Sequence, residues 1–100
     1  MANKLIDDMR KGDRRAILDG LFHPGAIYRM NAIGFSVVTG IRSVEIEQRI
    51  KELREDGAVL DGFSVSDFAI AALHLIGAEK YAGSKPRVKK LIACRFEFLK

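Results

Sequence analysis

Two apolar segments that lie 37 residues apart constrain the fold of this chain most strongly. The stretch YRMNAI at Tyr28–Ile33 has a weak counterpart in VSDFAI at Val65–Ile70, and Gly40 has its counterpart in Gly77. Each segment follows a turn and ends at a glycine. A repeat of about 20–50 residues is typical of stacked helical arrays. Arrays of this kind work by presenting surface, so the spacing favours a binding protein over an enzyme.

The length and composition indicate one ordered domain. The chain has 100 residues, of which 48% are apolar and 30% are charged, so we expect a single globular domain over residues 1–100. No apolar run reaches the roughly 18 residues that a membrane span needs. The first ten residues do not resemble a signal peptide. A single cysteine, Cys94, excludes an internal disulfide framework and favours a reducing compartment, which predicts a cytoplasmic protein.

The charged residues are distributed unevenly along the chain. The formal net charge is +4. Arg10–Arg15 and Lys85–Lys100 are rich in lysine and arginine, whereas acidic residues dominate Ser43–Asp67. The ends are therefore basic and the middle is acidic, which differs from the uniform positive charge of many nucleic-acid-binding domains.

The spacing of apolar residues predicts an all-α fold with five to six helices. The predicted helices are Lys4–Arg10, a helix capped by Asp13, Ala26–Thr39, a helix from Ser43 to about Glu55, Asp67–Ile76 opened by Ser64 or Ser66, and a last helix that begins at Pro86. Asp56–Phe63 contains two glycines and is predicted to be a turn-rich connection.

The predicted helices differ in how much of their circumference is apolar. Ala26–Thr39 and Asp67–Ile76 are apolar nearly all round, which indicates burial on more than one side. The other helices carry narrow apolar stripes. Val37 and Val38 favour a strand locally, but the segment is long and its apolar residues follow a helical period. The alternation predicts two layers, with the apolar helices held between their neighbours.

The turn before the first apolar segment resembles that of HEAT-like repeats. The run His23–Arg29 reads HPGAIYR and is followed by Ala32, where the family has Asp-Pro-x-Pro-x-Val-Arg and then an alanine. A histidine replaces the aspartate, and Ser66 stands at the arginine position of the second unit. The resemblance implies a short two-layer stack of antiparallel helical hairpins, an α-α superhelix of two hairpins and a half-unit. Its Asp–Arg ladder between units is expected to be partial.

The resemblance also implies a class of function. HEAT-like proteins mostly bind other proteins, and some bind nucleic acid or pigments. Small bacterial members include proteins similar to immunity partners of secreted toxins. We therefore expect a non-enzymatic protein-binding module, with inhibition of a bacterial toxin as its narrower form.

Few residues suggest chemistry. His23 lies beside a proline and is either a contact or acid/base residue or, as we favour, a cap of the next helix. His74 is expected in or near the core, bonded to a carbonyl. Cys94 is expected to be a small packed residue despite its basic neighbours. Arg29 is expected to brace its turn, although projection into a groove stays open. No catalytic, metal or cofactor site is predicted.

Two surfaces compete as partner sites. The acidic helix from Val44 to Asp56 is the surface expected to meet a basic protein partner, through Glu45, Glu52, Glu55 and Asp56. The alternative is nucleic-acid binding through a basic cluster near the C-terminal end: Lys85, Arg87, Lys89 and Lys90. The chain lacks tryptophan, and Phe96 and Phe98 fit packing better than base stacking.

The segment Arg95–Lys100 carries three large apolar side chains, at Phe96, Phe98 and Leu99. No further helix follows to cover them, whereas a terminal repeat normally presents a polar face. We therefore expect this end to pair with another copy of the chain or with a partner.

Overall fold

The chain folds into α-helices joined by short connections. In the computed structural model, which describes residues 3–100, there are six α-helices, two 3-10 helices and one pair of short strands. Their bounds are α1 Lys4–Arg10, α2 Arg14–Leu21, α3 Ala26–Thr39, α4 Val44–Glu52, a 3-10 helix Leu53–Glu55, β1 Val59–Leu60, β2 Phe63–Ser64, α5 Val65–Leu75, α6 Pro86–Cys94 and a C-terminal 3-10 helix Glu97–Leu99. The predicted all-α fold with five to six helices is confirmed.

Polar side chains begin the helices. The Oδ1 atom of Asp13 accepts a hydrogen bond of 3.1 Å from the backbone N–H of Ala16. Ser43 caps α4 in the same way. At α5, the hydroxyl of Ser64 accepts from the N–H of Asp67, whose carboxylate accepts from the N–H of Ser64, each at 3.0 Å. This reciprocal capping box starts α5 at Val65, two residues before the predicted start.

The two predicted stop glycines end the apolar helices. Gly40 has φ of 73° and Gly77 has φ of 78°. Both values lie in the left-handed region that glycine enters without a Cβ penalty. The helix α4 ends earlier than predicted, at Glu52, and tightens into the 3-10 helix that reaches Glu55.

The helices pack as two hairpins that share one core. The α2–α3 hairpin lies against the α4–α5 hairpin, with α3 packed on α5 and α2 on α4. Helix α1 contacts α2 and α3, and α6 covers α5. The predicted apolar helices are central: Ile33 and Phe35 of α3 and Ala69 and Leu73 of α5 are fully buried. No helix in residues 3–100 combines the length and the apolar character that a membrane crossing requires.

Two glycines allow close approach between elements. A Cβ atom placed on Gly20 of α2 would lie 2.9 Å from the Cβ of Ala32 and 2.6 Å from the Sδ of Met9. A Cβ on Gly34 of α3 would overlap the Cδ1 of Leu99. These glycines let α1 and α3 approach α2, and the C-terminal 3-10 helix approach α3.

The connection predicted as turns contains a small β-hairpin. Val59 pairs with Ser64 and Leu60 with Phe63. The intervening Asp61 and Gly62 have φ of 53° and 83°, so both occupy the left-handed region that a type I′ turn requires. An Asp-Gly pair between apolar residues is a strong signal for a β-hairpin. Only a turn-rich connection was predicted here from the sequence, so the hairpin was missed.

The C-terminal segment folds back onto the domain. Arg95 and Phe96 both adopt left-handed conformations, with φ of 54° and 58°, and this reverses the chain after α6. Phe96 is fully buried, and its ring meets that of Phe68 at 5.3 Å between centroids. Leu99 is half-buried against the core, whereas Phe98 is 60% exposed. The expectation that all three apolar side chains lie uncovered is therefore wrong for Phe96 and Leu99.

Candidate functional site

Arg29 links the turn before α3 to the loop after α4. Its Nε donates to the Oδ2 of Asp56 at 2.8 Å, and its Nη1 donates to the carbonyl oxygens of His23 and Pro24 at 2.9 and 2.7 Å. The side chain of Arg29 is 13% exposed and that of Asp56 is 20% exposed. The prediction that Arg29 braces its turn is confirmed, and the arginine also joins the two hairpins.

Asp56 is therefore engaged within the chain. Besides the ion pair, its Oδ1 accepts from the N–H of Ala58 at 3.1 Å. Of the four acidic residues predicted to meet a partner, Asp56 is thus the one whose carboxylate already has internal partners on both oxygens. Ser66, which stands 37 residues after Arg29, donates its hydroxyl proton to the carbonyl oxygen of Arg54 at 2.6 Å. This bond joins the first turn of α5 to the 3-10 helix that follows α4.

A groove lies between α2 and α4. Its volume is about 370 Å³. Two of the predicted acidic residues, Glu45 and Glu52, line it from the α4 side. Leu18 of α2 and Phe22, the residue that follows α2, line it from the other side. We call it the α2–α4 groove. Glu55 lies at the end of the following 3-10 helix and does not line the groove.

Phe22 projects from this groove. Its side chain is 60% exposed, and the guanidinium carbon of Arg49 lies 4.4 Å from the centre of its ring. The Nε of Arg49 donates to the carbonyl of Leu21 at 3.1 Å, which fixes the guanidinium beside the ring. A cation over an aromatic face attracts the ring, so Arg49 holds Phe22 in place although the ring faces solvent. No binding role was predicted for Phe22 or Arg49 from the sequence.

Acidic side chains outnumber basic ones among the residues that line the α2–α4 groove. Arg15 pairs with Asp19 at 3.6 Å, and the Nη1 of Arg49 pairs with Glu52 at 3.1 Å. Glu45 forms no ion pair with any residue from Asn3 to Lys100, and neither does Glu55. Both are exposed.

The basic cluster lies on and beside α6. Lys85, Arg87, Lys89 and Lys90 are all exposed. The Nζ of Lys85 is 3.9 Å from the Oδ1 of Asp67. The other three form no ion pair within the described part of the chain. Arg87, Lys89 and Lys90 thus lie on α6, and Lys85 is the N-cap residue before its first turn.

The two histidines accept hydrogen bonds from backbone N–H groups. The Nδ1 of His23 accepts from Gly25 at 2.9 Å, and its ring stacks on Tyr28 at 4.1 Å between centroids. His23 therefore bonds within its turn, but the predicted cap of the next helix is wrong, because Gly25 is the N-cap of α3 and no side chain caps this helix. His74 is half-buried as expected, but the bond to a carbonyl is wrong: its Nδ1 accepts from the N–H of Tyr81 at 2.9 Å.

A second groove, which the sequence analysis did not predict, lies between α3, the β-hairpin, α6 and the C-terminal 3-10 helix. It has a volume of about 350 Å³ and a largely apolar lining that includes Ile27, Leu60, Phe63, Phe68, Leu91 and Phe98. We call it the apolar groove. Cys94 also lines it and is half-buried, with its Sγ 3.6 Å from the carbonyl oxygen of Leu91. Asp61 and Lys90 are its two charged lining residues.

Residues 3–100 contain no group of three or more histidine, cysteine, aspartate or glutamate side chains placed to hold a metal ion. No protein-family model, curated protein or solved structure matches this chain.

Proposed function

We propose that this chain is a non-enzymatic protein-binding module whose α2–α4 groove holds a segment of another protein. The segment would combine an apolar side chain with lysine or arginine residues. The observation that carries the proposal is the exposed ring of Phe22, held by Arg49 in a groove with surplus negative charge. Aromatic side chains, including phenylalanine, and arginine are enriched at protein interfaces relative to the rest of the surface.

The energetics support an apolar contact at Phe22. Covering a large apolar side chain that is 60% exposed removes much of its surface from water. Full burial of such a side chain stabilises by about 1.5–3 kcal/mol. Because the ring already has a fixed position, little side-chain entropy is lost when a partner covers it.

The charges around the ring support a basic partner. Glu45 has no ion pair among the described residues, and Glu52 shares its only pair with Arg49. A lysine or arginine of a partner would therefore find carboxylates available on the α4 side of the groove. Such complementary charges raise the association rate and exclude acidic partners.

The arrangement of hairpins supports a helical-repeat scaffold for this binding. The resemblance to HEAT-like repeats implies a two-layer stack of antiparallel helical hairpins. Here α2 packs on α4 and α3 on α5, with Arg29 and Asp56 joining the units. The narrower role of toxin inhibitor stays a prediction.

Selection from a displayed peptide library against the immobilised domain tests the proposal. We expect enriched segments to carry an aromatic or aliphatic residue next to lysine or arginine. Binding of an enriched peptide should fall at least about tenfold for Phe22→Ala, because an interface anchor is lost. Glu45→Lys should also weaken binding, and the loss should be greater at low salt than at high salt.

The matched control is Val44→Ala, which removes another exposed apolar side chain from α4 without touching the groove. Its affinity for the enriched peptide should equal that of the wild type. Enriched peptides that bind the Phe22→Ala variant as well as the wild type would refute the proposed groove. The same holds if selection enriches acidic segments.

Nucleic-acid binding is a second candidate, favoured by Arg87, Lys89 and Lys90 of α6, which have no ion-pair partner among residues 3–100. In that case affinity for a labelled duplex or single strand should fall steeply from about 50 to 200 mM salt, since each phosphate contact releases counterions. The variant Lys89→Glu should weaken such binding, whereas Phe22→Ala should leave it unchanged. Affinity that does not depend on salt would exclude this candidate.

A further inference from the structure

The apolar groove presents a cavity, projecting apolar side chains and one charge of each sign on a single face. We propose that its occupant is a second copy of this chain, docked about a two-fold axis. In this dimer, Phe98 of each copy enters the groove of the other, and Asp61 of each copy faces Lys90 of the other.

The groove offers both halves of an apolar contact. Its volume of about 350 Å³ lies in the range of cavities that hold bulky apolar groups. Beside this cavity, Phe98 is 60% exposed and Ile27 is 44% exposed, and both belong to the lining. A surface that carries a large apolar projection next to an apolar cavity is complementary to itself. An isologous dimer uses the same patch on both subunits, so it buries projection and cavity twice.

The charges of the lining are complementary to those of a second copy. Asp61 and Lys90 are the charged residues of the lining, and neither has an ion-pair partner within residues 3–100. A ligand or peptide of one charge sign would satisfy one of them and oppose the other. Under a two-fold axis, residue i meets residue j and residue j meets residue i, so both charges of both copies are matched.

The backbone holds these groups in position before any contact forms. Asp61 lies in the type I′ turn of the β-hairpin, with φ of 53°. Phe98 follows the two left-handed residues Arg95 and Phe96, and the buried ring of Phe96 lies 6.1 Å from that of Phe98 between centroids. Such preorganisation reduces the entropy lost on association.

This inference does not depend on the proposed function. The residues that line the apolar groove and those that line the α2–α4 groove are different, without one in common. Failure of one proposal therefore leaves the other intact.

Sedimentation equilibrium over a concentration series tests the dimer. We expect the mass to rise from 11.1 kDa towards twice that value. The variant Phe98→Ala should raise the dimer dissociation constant at least about tenfold, because both copies lose an apolar anchor. The helix content measured by circular dichroism should stay unchanged, since most of the Phe98 side chain is exposed.

Two charge variants test the orientation of the copies. Asp61→Asn keeps a residue that tolerates the left-handed turn and removes one partner of each ion pair, so it should weaken the dimer. Lys90→Glu should weaken it further, because two acidic groups then face each other. The double variant with Asp61→Asn and Lys90→Glu should form a tighter dimer than Lys90→Glu alone, because the repulsion between the two acidic groups is removed. The matched control is Lys89→Glu, which makes the same change at the neighbouring position outside the lining and should leave the dissociation constant near that of the wild type.

The thiol of Cys94 gives an independent measurement. It lines the groove, so its reaction rate with a thiol reagent should fall as the wild-type concentration rises and should stay constant for Phe98→Ala. A strict monomer at about 1 mM would overturn the proposal, because the dimer dissociation constant would then lie above the millimolar range. So would a dimer that is indifferent to Phe98→Ala, or a double variant weaker than Lys90→Glu alone.

Discussion

Arg29 of α3 and Asp56 of the loop after α4 form a 2.8 Å ion pair that joins two helical hairpins. The arginine also donates to two carbonyls of its own turn, and the aspartate accepts from Ala58. One side chain thus fixes the turn between α2 and α3, and its partner fixes the loop that leads to the β-hairpin. A second polar contact between the hairpins runs from the Nε of Arg49 to the carbonyl oxygen of Leu21.

Removing the charge of Asp56 should therefore destabilise the domain. We expect Asp56→Asn to lower the free energy of unfolding by about 2 kcal/mol, because the largely buried guanidinium of Arg29 loses its counter-ion. Urea denaturation of Asp56→Asn, Arg29→Ala and the double variant should give a coupling of more than about 1 kcal/mol. The exposed pair between Arg54 and Glu79 is the control, and Glu79→Gln should cost less than about 1 kcal/mol. Equal losses for Asp56→Asn and Glu79→Gln would contradict the special role of the Arg29–Asp56 pair.

A side chain at Gly34 should destabilise the protein while Leu99 is present. A methyl group at Gly34 overlaps Leu99 and lies 3.2 Å from the Cδ1 of Phe96, so Gly34→Ala should cost about 1–3 kcal/mol. In a Leu99→Ala background the additional cost of Gly34→Ala should be smaller. Gly57→Ala is the control, since no atom lies within 4 Å of its added Cβ. Thermal unfolding of the four variants measures these differences, and equal costs of Gly34→Ala in both backgrounds would disprove the contact.

Arg95→Gly should stabilise the protein. Arg95 ends α6 in a left-handed conformation, which costs an L-residue about 1–2 kcal/mol, whereas glycine is the usual residue at this position. The gain is reduced by the greater backbone freedom of glycine when unfolded, so we expect about 0.5–1 kcal/mol from chemical denaturation. Lys89→Gly, inside the same helix, should instead destabilise by about 1 kcal/mol. A loss of stability in Arg95→Gly would mean that the arginine side chain itself contributes to folding.

The capping box of α5 should contribute measurably to stability. Ser64→Ala removes the acceptor for the N–H of Asp67 and should lower the unfolding free energy by about 1 kcal/mol. Ser84→Ala, in the exposed loop before α6, should change it by less than about 0.5 kcal/mol. The midpoints of urea denaturation, compared at equal m-values, give the change in unfolding free energy of both variants. Equal midpoints for the two variants would show that the box adds nothing to the packing of α5.

The helices were predictable because their signals are local. Asp13, Ser43 and Ser64 lie within three residues of the N–H groups that they cap, and Gly40 and Gly77 end helices through their own backbone conformation. The β-hairpin was equally local, since Asp61 and Gly62 form its turn. It was missed because its strands are only two residues long and leave no alternating pattern.

The sites were less predictable because they depend on distant residues. Asp56 reads as one of several solvated acids in the sequence, and only the fold brings Arg29 to it across 27 positions. Phe96 and Phe98 are two positions apart, and only the left-handed pair at Arg95 and Phe96 sends one inward and the other to the groove. Neither arginine nor phenylalanine signals such a conformation.

The complete separation of the two grooves has a consequence for avidity. Two copies joined through the apolar groove would carry two α2–α4 grooves, both still open. A target with two basic segments at a suitable spacing would then engage the second groove intramolecularly, which can strengthen binding by roughly 10²–10⁴ over a single site. Weak recognition at each Phe22 would thus suffice for a tight complex, and the protein concentration would set the strength of target capture.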